Sequence, residues 1–147
     1  MSIRPAVLAD CVILAAIDAE ANPSPWSTLQ FQTALANHLD TVMIFEQDNQ
    51  PVAFAVWQIL FDESELHLIA TASCYRRQGI AGQLMRYWLN QAQNNQVSRL
   101  LLEVRESNSA ARQFYQKWAF AETGMRKNYY SLPDGTRENA VLMEKLC

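Results

Sequence analysis

The sequence predicts a mixed α and β fold, one layered domain over residues 1–147, on three observations. Strand-like runs at 41–47, 52–60 and 66–71 are joined by short polar turns, which suggests an antiparallel meander. The third run is followed by a basic turn, a helical pattern and the apolar run Leu100-Leu101-Leu102-Glu103-Val104, a β-α-β unit in the middle of the chain. Half of the 147 residues are hydrophobic, with no linker, repeat or low-complexity tract, so there is enough apolar surface for a sizeable core.

The elements follow in order. Ser2 to Arg4 can form a short first strand. Asp10 to Ala21 reads as a helix, with Val12, Ala16 and Ala19, or Ile13, Ile17 and Glu20, along its faces. Asn22-Pro23-Ser24-Pro25 breaks it. Ser27-Thr28-Leu29-Gln30 has the form of a capping box, so a second helix is expected from Ser27 to near Asn37. The meander comes next, turning at Asp48-Asn49-Gln50-Pro51 and at Asp62-Glu63-Ser64. A helix from near Gly79 to Asn94 places Ile80, Leu84, Tyr87, Trp88 and Ala92 on one face. After the run 100–104, Ser107 or Asn108 caps a helix through about Trp118. Phe120 to Tyr130 and Asn139 to Lys145 form the last strands, around the turn Leu132-Pro133-Asp134-Gly135-Thr136.

Composition narrows the function classes. A net charge of −3 argues weakly against broad nucleic-acid binding, which usually needs a basic face, and is compatible with a cationic substrate. Cys11, Cys74 and Cys147 are far apart and odd in number, which fits neither a disulfide framework nor a metal site. A reducing, cytoplasmic setting is the simplest reading. The apolar run from Cys11 to Ile17 is too short to span a bilayer, so no membrane association is expected.

The start of the predicted helix at Gly79 carries Arg76 and Arg77 and no carboxylate, although unpaired N–H groups there favour negative charge. An anionic ligand would supply it, and Gly79 and Gly82 would let the backbone approach a phosphate. Taken alone, the segment reads equally well as a strand-turn-helix connection with solvated arginines. Glu103 is a carboxylate inside an apolar run, where desolvation would make it a better base; alternatively it faces water or pairs with Arg105. Asn108 and Tyr115 are seven residues apart and share a helix face, but each also fits a plain structural role, as cap and core aromatic. His38 and His67 have no partner at metal spacing, so no metal is expected. Cys74 lies just before the arginines, which leaves a covalent acyl-cysteine route open. Asp62, Glu63 and Glu65 form an acidic cluster that could attract an ammonium group.

Arg76-x-x-Gly79-x-Ala81, after a strand and before a helix, resembles the acetyl-CoA signature of the GCN5-related N-acetyltransferases. Within that superfamily the chain is most similar to the bacterial ribosomal-protein-alanine N-acetyltransferases of the RimI type. The matching segments run from Pro25-Trp26-Ser27 through Phe61-Asp62-Glu63, Ile69-Ala70 and Arg77-Gln78-Gly79 to Leu102-Glu103-Val104-Arg105, Ser107-Asn108, Phe114-Tyr115 and Asn128-Tyr129-Tyr130. The resemblance implies a central, mostly antiparallel sheet with splayed middle strands, flanked by helices. It implies Glu103 as general base and Tyr115 as general acid. It implies acetyl-CoA as cosubstrate, with Ile69, Ala70 and Thr71 along the pantetheine arm and a strand N–H near Ala70 facing the oxyanion. Arg76, Arg77, Gln78, Gly79, Ile80, Ala81 and Gly82 would form the pyrophosphate turn, and Asn108 would lie near the reactive end.

The implied acceptor is a protein N-terminus, the N-terminal alanine of a small-subunit ribosomal protein, acetylated directly with no acyl-enzyme, no metal and no direct contact to nucleic acid. Trp26 and Asn128-Tyr129-Tyr130 favour a peptide acceptor, since aromatic walls suit a short extended chain. Two other readings remain: an enzyme acetylating a small amine such as a polyamine, amino acid or aminoglycoside, and an acyl-CoA-binding module without turnover. The sequence departs from the family pattern at Ser73-Cys74, at Trp118-Ala119-Phe120 and at His67, where an apolar strand residue is expected.

Overall fold

A computed structural model describes residues 2–147. The elements run β1 (Ser2–Pro5), α1 (Cys11–Ala21), α2 (Thr28–Ala36), β2 (Asp40–Gln47), β3 (Gln50–Leu60), β4 (Glu63–Thr71), α3 (Ile80–Asn94), β5 (Arg99–Arg105), α4 (Ser109–Lys117), β6 (Ala121–Ser131) and β7 (Arg137–Leu146). The strands form a single sheet in the order β1-β2-β3-β4-β5-β7-β6. Every junction is antiparallel except β4 with β5, which is parallel and bridged by α3, so the expected meander and β-α-β unit are both present.

Local chemistry sets the boundaries. Ser27 caps α2: its Oγ accepts from the Gln30 N–H at 3.2 Å while Gln30 Oε1 accepts from the Ser27 N–H at 2.9 Å. Asn108 caps α4, its Oδ1 accepting from the Ala111 N–H at 3.2 Å. The β2–β3 turn is tight because Asp48 and Asn49 both take positive φ, which their short polar side chains tolerate.

Two cores cover the two faces of the sheet. Ile80, Leu84, Trp88 and Ala92 of α3 pack on one face with Leu100, Leu102 and Val104 of β5 and with Tyr115 of α4. Leu14, Ile17, Phe31 and Ala34 of α1 and α2 pack on the other, against Ile44, Phe54 and Val56.

The face of α1 corrects the expectation. It buries Cys11, Leu14, Ile17 and Asp18, while Val12 is 67% and Ile13 43% exposed. The helix is apolar nearly all round, so periodicity could not choose a face. Asp18 goes inside because it has partners there: Oδ1 accepts from Asn22 Nδ2 at 2.9 Å and Oδ2 from the Trp26 N–H at 2.8 Å.

Candidate active site

The site begins where β4 and β5 part. Their parallel ladder has four rungs, from Glu63–Arg99 to Leu66–Leu102, and stops. At the same point β4 carries a bulge against β3: Trp57 pairs with Leu66 and Val56 with Leu68, leaving His67 without a partner. A bulge bends its strand and increases local twist, and here it turns β4 away from β5.

Beyond the bulge, main-chain groups of β4 become free. The Ala72 N–H donates to the Val52 carbonyl at 2.8 Å. Antiparallel alternation from that bond gives the Ala70 main-chain groups to Phe54 and turns those of Ile69 and Thr71 away from β3. The free N–H groups are therefore those flanking Ala70, not its own. One of the turned groups, the Thr71 carbonyl, accepts from Arg76 Nε at 3.1 Å.

A cavity of about 630 Å³ fills the fork. Ile69, Ala70, Thr71, Arg76, Ala81, Glu103, Asn108 and Tyr115 all line it, drawn from β4, the basic turn, α3, β5 and α4. Arg77, Gln78, Gly79, Ile80 and Gly82 do not. Arg77, Gln78 and Gly79 continue from Arg76 around an exposed turn, Ile80 is buried at the start of α3, and Gly82 faces Trp118, the residue after α4. Arg77 and Gly79 take φ of 63° and 78°, and Gly79 starts α3 with no side-chain cap and no acid in the first turn. Consecutive N–H groups there are left without a side-chain acceptor, an arrangement suited to an anion.

Glu103 and Tyr115 reach the fork from opposite faces. Leu102 and Val104 pack into the α3–α4 core, so Glu103 between them points to the α1–α2 face, while Tyr115 comes from the α3–α4 core. The Glu103 side chain is 20% exposed, and Oε1 lies 3.5 Å from Arg126 Nη1. Its partner is thus Arg126 of β6, not Arg105, which faces Glu138 at 4.0 Å. Burial pushes the Tyr115 phenol well above its ordinary value, with neighbouring Tyr130 adding to the shift, so it keeps its proton at neutral pH. Tyr130 is itself pushed up to about 12, by burial first and then by Glu103.

The aromatic wall lies on the α1–α2 side. Trp26 is held there by Asp18, and Ser24 Oγ donates to the Ser131 carbonyl across the mouth. Tyr129 and Tyr130 enter because Lys127, Asn128 and Tyr129 bulge out of β6 between the Arg126–Ala140 and Tyr130–Glu138 rungs. Asn128 has φ 55°, and its N–H donates to Asn139 Oδ1 at 2.9 Å.

The acidic cluster divides. Asp62 accepts from Ser98 Oγ and Glu63 pairs with Arg99 at 2.9 Å, both structural, while Glu65 lines the cavity. Cys74 is exposed and outside the cavity lining, which removes support for the covalent route. Ser73, at one of the departures from the family pattern, donates from N and Oγ to Glu20 at 3.3 and 3.2 Å and so ties the loop to α1. Sequence reasoning missed Asp18 and Arg126. A carboxylate four residues before Asn22 in an apolar helix signals the first; the second depends on the β6 register, which has no local signal. Among the described residues no His, Cys, Asp and Glu side chains group as a metal site, and no helix is long and apolar enough to cross a membrane.

Residues 12–120 match the model of the acetyltransferase (GNAT) family, and the chain, with its forked parallel junction, belongs to that family. It is similar to the [ribosomal protein bS18]-alanine N-acetyltransferases of Haemophilus ducreyi, 39% identical over 86% of this chain and 87% of the relative, and of Haemophilus influenzae, 40% identical over 86% of each. Among solved structures it is similar to the ribosomal-protein-S18-alanine N-acetyltransferase from Escherichia coli, with a TM-score of 0.90 and 32% identity, covering 99% of this chain and 92% of that one.

Proposed function

We propose that this chain is an acetyl-CoA-dependent Nα-acetyltransferase whose acceptor is the N-terminal alanine of ribosomal protein bS18, in a cytoplasmic setting. The observation that carries the reaction is the approach of Glu103 and Tyr115 to one gap from opposite faces of the sheet. Direct displacement needs a base where the amine enters and an acid where the thiol leaves. The names of the relatives at 39 and 40% identity support the acceptor.

The residues present fit the cosubstrate. The unused main-chain groups of Ile69 and Thr71 suit an extended amide arm, and the uncapped N-terminus of α3 with Arg76 and Arg77 suits a pyrophosphate. Gln78, Gly79, Ile80, Ala81 and Gly82 carry the remaining N–H groups of that turn, and Asn108 and Ala70 lie nearer the fork. When bound, acetyl-CoA supplies an acetyl thioester. Glu103 accepts a proton from the entering ammonium, directly or through water. The Ile69 or Thr71 N–H, turned away from β3, would be the donor for an oxyanion there. Tyr115, whose burial holds its phenol proton more tightly, would donate to the departing sulfur.

The test is acetyl transfer read by mass spectrometry on an Ala-starting peptide of bS18, the same peptide with a blocked N-terminus, and a polyamine panel. Mass gain on the free peptide alone is expected. Gain on polyamines alone would overturn the acceptor, and acetyl-CoA binding without transfer to any of them would favour a binding module.

A further inference from the structure

We infer that His67 is a positioning residue for proton release: it receives, through Glu103, the proton that the acceptor ammonium sheds. The inference rests on the acetyltransferase reading above. His67 and Glu103 are the first residues beyond the last shared rung, Leu66–Leu102, one on each arm of the fork. Both line the same cavity. The bulge that opens the fork is also what frees His67 from pairing with β3, so a histidine stands at the hinge itself.

The ring is set among carboxylates on the face that Glu103 occupies. Its Nε2 lies 3.9 Å from Glu65 Oε1, and its side chain is 26% exposed, so it connects the cavity to solvent. Asp40, at the start of β2, is the second carboxylate that feels the ring: burial raises its carboxyl above the ordinary value and a charged His67 opposes that. Asp40 Oδ1 is buried without a hydrogen-bond partner. The charged groups around His67 are thus Glu65 on its own strand and Asp40 on β2, with Glu103 of β5, paired to Arg126 of β6, lining the same cavity. A proton arriving on the ring is countered by Glu65 and Asp40.

Proton balance gives the ring its task. The acceptor nitrogen enters as –NH3⁺ and leaves as an amide N–H, so it loses two protons for one N–C bond formed. The C–S bond breaks and the sulfur takes one proton, through Tyr115. The other must leave the cavity. Glu103, held beside Arg126, passes it to the His67 imidazole, which gives it to bulk water.

The test uses His67→Gln and His67→Phe, which remove the imidazole while keeping an amide or an apolar body. Steady-state acetylation of the Ala-starting peptide is followed from about pH 6 to about pH 9. The expected result is a kcat loss of roughly tenfold near neutral pH that closes as pH rises, because hydroxide then takes the proton directly. The KM for acetyl-CoA should move by less than about twofold, and added imidazole should restore part of the neutral-pH rate in both variants. A loss of equal size at every pH, or profiles that coincide with the parent protein, would overturn the inference and leave the acetyltransferase reading standing. A parent protein that acetylates no Ala-starting peptide would overturn both.

Discussion

At the scale of single residues, the roles proposed for Glu103 and Tyr115 rest on different surroundings. Glu103 keeps access to the cavity and a cation 3.5 Å away in Arg126, which suits a carboxylate that must be charged to accept a proton. Tyr115 is desolvated, which suits a phenol that must stay protonated to give one. Glu103→Gln should therefore lower turnover by roughly a hundredfold or more near neutral pH while calorimetry still registers acetyl-CoA binding. Tyr115→Phe should lower kcat more than it changes the Kd for acetyl-CoA; an unchanged rate would return Tyr115 to a packing role. Glu103 was legible as a lone carboxylate in an apolar run. The placing of Arg126 and His67 was not, because each depends on a bulge, and a one-residue change of register reverses the face a strand residue presents.

At the scale of elements, legibility followed local chemistry. α2 and α4 could be bounded from sequence because Ser27, Gln30 and Asn108 satisfy helix N–H groups within three residues of themselves. The face of α1 could not, because Asp18 is buried by Asn22 and by the Trp26 N–H in the loop beyond the helix. The end of α4 carries a departure with an energetic consequence. Trp118 caps the helix and Ala119 follows with φ 69°, the left-handed region that costs a residue with a Cβ about 1–2 kcal/mol. Ala119→Gly should remove that strain and, after the extra chain entropy of glycine, stabilise the protein by about 1 kcal/mol, or about 2–4 °C in Tm. Thermal unfolding of the pair decides it: an equal or lower Tm for the glycine variant would mean that the turn holds no strain.

At the scale of the whole molecule, the sheet places its one parallel junction, and with it the fork, in the interior, and leaves β1 at an edge. Among the described residues, four of β1 pair with β2, and side chains add to its hold. Arg4 supplies it: Nη1 and Nη2 reach Asp10 at 2.9 and 3.1 Å, and Nε reaches Glu46 at 2.8 Å. The guanidinium, helped by the Val7 N–H, holds the Asp10 carboxyl below its ordinary value against the opposing effect of burial. A carboxyl lowered by folding contributes stability above its unfolded pKa of about 3.9, and that contribution is lost as pH falls through the folded value. Asp18 acts in the opposite sense. Burial raises its carboxyl, so its contribution is largest in acid and declines as pH rises through the folded value, offsetting part of the Asp10 effect. Asp10→Asn should thus cost about 1–3 kcal/mol at neutral pH, and the cost should shrink as pH falls below the unfolded value of about 3.9 and the parent carboxyl gives up its charge. Urea midpoints for both proteins across that range measure the difference directly. A gap that stays constant with pH would mean that the Arg4–Asp10 pair is not what fastens β1 to the sheet.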